Sequence, residues 1–254
     1  MSRIYSVVLS PFQQCLAAYT ILLMNDLADN AQSRFVSEHP SFDTISSLVR
    51  MGHKYEIHSA MDSALAYLRS YYPSDFMSWK ANKKGAPKFQ PVHSIGVLNL
   101  ARLTEAFDMI PAAFWICCNL DIEDLRGGFK RQDGTHETLS TTDLVNVLIA
   151  REELAKMTAL GCLCVLDIIA GSRSCTCDDS DSDCQSSVSA VVERLAESDT
   201  DDYIGPTLTG CWVRFLNGEL SVSFCSDSVE AIKEKQKEQL REAWDRLPGF
   251  IASS

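Results

Sequence analysis

Apolar residues recur at helical spacing through most of this chain. Between Phe42 and Phe76 the pattern predicts two short amphipathic helices joined by a tight link. Ile45, Leu48, Val49 and Met51 form the stripe of the first, with Ser41 as its N-cap and Gly52 near its end. Ile57, Met61, Ala64, Leu65, Leu68 and Tyr72 mark one face of the second, and Pro73 stops it. Upstream, Ile4 to Leu9 is compatible with a short strand. Ser10-Pro11 then opens a helix through Phe12, Leu16, Tyr19, Leu23 and Leu27.

Downstream, Asn82 to Pro91 gathers a glycine and two prolines and reads as a loop. It suggests a boundary, with a first module over 1–80, a linker over 81–91 and a second domain over 92–254. A helix is expected from His93 to about Phe107, and Pro111 opens a short helix that is apolar on all sides and therefore buried. Arg126 to Thr138 reads as a polar loop holding Gly127-Gly128 and the Asp133-Gly134 turn. Ser140 with Asp143 resembles a capping box. It starts a long helix through Leu144, Val147, Leu148, Leu154, Met157 and Leu160 to about Ala170. Ser172 to Gln185 is an acidic loop and Val188 to Leu195 a short helix. Two apolar runs flanking Asn217-Gly218, between Cys211 and Phe224, predict a β-hairpin, since Asn-Gly suits a type I′ turn. Asp227 to Leu247 is a last amphipathic helix. The fold class is thus mainly α, with one small β-hairpin.

Charge narrows the partners. The 254 residues carry a formal net charge of -11, which disfavours nucleic acid and anionic membrane surfaces, both of which select clustered Lys and Arg. No apolar run reaches the roughly 20 residues that span a bilayer. Pro11, Gln13 and Gln14 interrupt the one stretch near the N-terminus that imitates a signal peptide. There are ten cysteines, two of them adjacent (Cys117, Cys118) within an apolar segment, and no Asn-x-Ser/Thr acceptor. Reduced thiols in an intracellular protein, cytoplasmic or nuclear, are the expectation.

Candidate chemistry is sparse. Cys175, Cys177, Cys184 and Cys225 are the candidate zinc ligands, although the tight pair is Cys-x-Cys rather than the usual wider spacing. The aspartates at 178, 179, 181 and 183 do not make a calcium loop, because Cys184 and Ala190 stand where that loop needs Gly and Glu. His136-Glu137 begins like a zinc-protease motif, but Ser140 replaces its second His, so it reads as polar loop. No nucleophile-elbow, P-loop or dinucleotide-binding motif occurs. The residues therefore point away from an enzyme and require no cofactor. A zinc-stabilised, cysteine-containing binding module is the alternative.

Several of these elements, in this order, resemble a known family. Ile45 to Ile57, with Leu48-Val49 and Gly52-His53-Lys54-Tyr55, looks like the penultimate helix of a BTB/POZ domain, and Met61 to Leu68 like its last helix. The wider resemblance, over roughly residues 34 to 250, is to the BTB-domain proteins of mushroom-type fungi. Its further carriers are His93 to Thr104, Pro111 to Cys118, Asp133 to Ser140 and Trp244 to Pro248. The family often pairs two cysteines near the final helix; here Cys225 is followed by Ser228 in the second place. A complete BTB fold places a small sheet and further helices before the closing pair. Only 41 residues precede Phe42, so the front of that module is expected to be missing or divergent. The resemblance implies a protein-interaction scaffold or adaptor, with other proteins, including copies of itself, as partners.

Overall fold

The computed structural model describes residues 39–82, 85–170, 184–197 and 224–251. Nine α-helices and one two-stranded sheet occupy them: α1 Phe42–Lys54, α2 His58–Tyr71, α3 Phe76–Ala81, α4 His93–Leu103, α5 Ile110–Cys117, α6 Ile122–Gly127, β1 Phe129–Lys130, β2 His136–Glu137, α7 Thr141–Ala170, α8 Cys184–Glu197 and α9 Ser226–Ile251. A 3₁₀ turn, Phe107–Met109, precedes α5. The mainly helical class expected from the sequence holds. The strand and helix expected before residue 39 lie outside the described residues, as does all but the last residue of the hairpin expected over 211–224.

Two compact units divide the chain. The first takes residues 1–113 and returns for 129–137; the second takes 114–128 and 138–254. These lines differ from the expected linker at 81–91, because α4, beyond that loop, packs against α1.

In the first unit, α1 begins where the Ser41 hydroxyl accepts the Thr44 amide. Phe42, Ile45 and Val49 are fully buried, and α1 packs along α2 and against α4. The turn between α1 and α2 is close because residue 52 is Gly: a Cβ there would lie 2.8 Å from that of Met61. Tyr72 ends α2 just before Pro73. Helix α4 stops at Leu103, short of the expected Phe107, because Glu105 takes a φ of 56° and breaks the helical path.

The expected polar loop at Arg126–Thr138 is instead a hairpin. Phe129 pairs with Glu137 and Lys130 with His136. The Gly134 amide donates to the Arg131 carbonyl at 3.0 Å, and Gly134 adopts a φ of 84°, the tight turn with a left-handed glycine that suits a short hairpin loop. Asp133 reinforces it by accepting the Thr135 amide.

An aromatic cluster joins the hairpin to the helices. Phe42 stacks on His93, and Phe89 and Phe129 meet Phe42 edge-on. His93 Nδ1 accepts the Gln90 amide at 3.0 Å. Burial holds the His93 pKa below its usual 6.5, opposed by the nearby Asp43 carboxylate. An unfolded chain takes up this proton near the ordinary value, and the folded one does so only at lower pH. The histidine's contribution is therefore complete above about pH 6.5 and lost as the pH falls toward the depressed value. Urea midpoints are expected to fall between about pH 7 and pH 5. The fall should be shallower in His93→Asn; equal slopes in the two proteins would remove His93 from the account.

In the second unit, the Ser140 hydroxyl accepts the Asp143 amide at 3.0 Å and donates to its carboxylate at 2.9 Å, which fixes the start of α7. Val147, Ala150, Leu154 and Thr158 are buried along one face, and α7 packs along α9 and against α8. Ile232, Leu240, Ala243, Trp244 and Leu247 are the buried stripe of α9. That helix runs four residues beyond the expected Leu247, through Pro248 to Ile251. Helix α8 starts at Cys184, earlier than the expected Val188.

Candidate functional site

Three places draw attention, and each lies within one unit. The first is ionic. Glu137 is 5 % exposed. Arg50 Nη2 donates to both of its oxygens, at 2.8 and 3.0 Å, and Asn99 Nδ2 donates to Oε1 at 2.7 Å. Arg131 Nε lies 3.5 Å from Oε2 and its Nη2 3.1 Å from Asp133. Both guanidiniums also donate to the Ser46 hydroxyl. The carboxylate is thus enclosed by donors from α1, α4 and the hairpin, an arrangement that holds an element in place. His136, its neighbour, is exposed. The expected polar loop is therefore half surface and half buried ion pair, because strand alternation sends successive side chains to opposite faces. Beside this network an open hollow of about 360 Å³ is lined by Asp43, Thr44, Ser47, Arg131, Gln132 and Asp133. It has no apolar wall of the kind that encloses small ligands.

The second place is a helix face. Val145, Ile149, Leu160 and Leu163 of α7 are 48, 50, 62 and 61 % exposed. Their spacing puts them on one stripe, with Glu152 and Lys156, paired at 2.7 Å, in its middle. Leu148, beside the stripe, is 42 % exposed. Leu148 and Leu160 belong to the helical pattern read from the sequence, yet they face outward. This helix has apolar residues on more than one side, so spacing alone does not say which side is inner. Among the described residues no helix is long and apolar enough to cross a membrane.

The third place holds thiols. Of the expected ligands Cys175, Cys177, Cys184 and Cys225, the structure brings Cys184 and Cys225 together; Cys175 and Cys177 lie outside the described residues. The Cys225 amide donates to Cys184 Sγ at 3.2 Å. Ser228 Oγ lies 3.7 Å from Cys184 Sγ and 3.2 Å from Cys225 Sγ. Cys225 immediately precedes α9, and hydrogen bonding with the Ser228 side chain and amide holds its thiol below the ordinary range. Cys184 is buried and Cys225 partly exposed. Among the described residues no group of three or more His, Cys, Asp or Glu converges as a metal site would require. Cys117 and Cys118 are a contrast: burial raises both, Cys118 to about 12, as expected of inert core thiols.

No family model matches this chain, and neither does any curated protein or solved structure. The ion network and the aromatic cluster explain cohesion, whereas the α7 stripe and Cys225 are exposed enough to act on something else. Sequence reasoning grouped Cys184 and Cys225 with Cys175 and Cys177 as one candidate zinc set, but not as a pair by themselves, and it missed the part played by Glu137. Its partners Arg50 and Asn99 stand 87 and 38 residues away, a separation no local pattern encodes.

Proposed function

We propose that this chain is a non-enzymatic protein-interaction scaffold or adaptor of the BTB/POZ type, working inside the cell on other proteins and on copies of itself. The observation that carries the reading is the exposed apolar stripe of α7. Leucines more than half exposed, aligned on one helix face, gain free energy when a partner covers them. The ion pair at the middle of the stripe would sit in the interface as a polar element that fixes register. The family resemblance of the α1–α2 pair supports the same class of function. The net charge of -11 favours protein surfaces over nucleic acid as the partner.

Sedimentation velocity across a wide concentration range tests this. The full chain is expected to associate as its concentration rises, and the double variant Leu160→Glu, Leu163→Glu to remain a monomer. Both positions are exposed, so the variant should stay within about 0.5 kcal/mol of the parent in stability. A parent that is monomeric throughout and binds no hydrophobic dye would remove the proposal.

A further inference from the structure

We propose that Cys184 and Cys225 are a peroxide-sensitive dithiol that closes into an intramolecular disulfide. Two observations place the two sulfurs together. The Cys225 amide donates to Cys184 Sγ. One hydroxyl, that of Ser228, contacts both sulfurs. Exposure differs in the useful sense: Cys184 is 4 % exposed, while Cys225 is partly open to solvent. An accessible sulfur that meets the oxidant and a sheltered neighbour that resolves it make up the usual redox-sensing arrangement.

The chemistry balances with hydrogen peroxide as oxidant. The Cys225 sulfur attacks one peroxide oxygen, the O–O bond breaks and one water leaves, giving a sulfenic acid. The Cys184 sulfur then attacks the Cys225 sulfur, the S–O bond breaks and the S–S bond forms. The hydroxide released takes the Cys184 proton and leaves as a second water. Two thiols have lost two electrons and two hydrogens, and one peroxide has been reduced to two waters. Cys184 opens α8 and Cys225 precedes α9, both of which pack on α7. The bond would therefore tie the starts of two helices that share one neighbour. This inference does not depend on the interaction surface of α7.

Peptide mapping of the purified full-length chain decides it. The protein is reduced in the presence of chelator, treated with hydrogen peroxide, alkylated and digested with trypsin and an Asp-N protease. Cleavage after Arg214 separates Cys225 from Cys211, and cleavage before Asp183 separates Cys184 from Cys175 and Cys177. The expected result is a Cys184–Cys225 linked peptide, more abundant than any other cysteine pairing and lost on treatment with dithiothreitol. In Cys184→Ser, a sulfenic acid trapped by dimedone should accumulate at Cys225. If another pairing predominates, or Cys225 advances to sulfinic acid while Cys184 stays alkylated, the proposal fails. The mapping of the unsubstituted chain stands even if the serine variant does not fold.

Discussion

Replacing Glu137 with alanine is expected to destabilise the chain by about 3 kcal/mol, read as a lower urea midpoint. The carboxylate accepts hydrogen bonds from Arg50 and Asn99, and Arg131 Nε lies 3.5 Å from it. Removing it leaves two guanidiniums facing each other across a poorly solvated gap, and the loss exceeds that of one hydrogen bond. The figure sits at the low end of the range for buried pairs because the Arg50 side chain is 33 % exposed and can turn to water. Glu137→Gln keeps an acceptor for Asn99 but not the charge, and should lose less. Combined with Arg50→Ala in a double-mutant cycle, Glu137→Ala should show coupling of at least about 1 kcal/mol. Additive effects would mean that the hairpin is held by something other than this carboxylate.

Phe42→Ala is expected to cost about 3–5 kcal/mol. The ring is fully buried and contacts His93, Phe89 and Phe129 at centroid distances of 5.0, 5.5 and 5.4 Å. Truncation opens a cavity where the hairpin meets α1 and α4, so packing with Phe129 is lost from both sides. A second result separates this account from a general loss of apolar area. The tip of the Phe42 ring lies against Gly96, and a Cβ at that position would come within 2.2 Å of its Cζ. Gly96→Ala alone should therefore destabilise by about 1–3 kcal/mol through overpacking. In the Phe42→Ala background the same change should be neutral or helpful, because the added methyl enters the space the ring has left and alanine suits a helix better than glycine. Equal effects of Gly96→Ala in both backgrounds would show that the ring is not what excludes the methyl.

What was legible in the sequence was local. Ser41, Gly52 and Pro73 mark the bounds of α1 and α2 through capping, close approach and chain stop, each acting within a few residues. The Ser140–Asp143 cap was readable for the same reason. The hairpin was readable only as a turn. Its strands are two residues each, too short for alternation to register. The inner face of α7 was ambiguous because apolar residues occur on two sides of it. The cysteine pair spans 41 residues in sequence, and its geometry comes from two helices packing on a third.

The interleaved division of the chain bears on how it is made. The first unit closes only when residues 129–137 return to it, and Arg50 waits for a partner 87 residues downstream. At ribosomal rates that interval is roughly 4–17 s, taking about 5–20 residues per second and the 87-residue separation. Through it the aromatic ring of Phe42 lacks the Phe129 face it will pack against. A nascent chain in that interval is a natural client for chaperones that bind exposed apolar segments. A fragment ending near residue 91 would be held in that unfinished condition permanently.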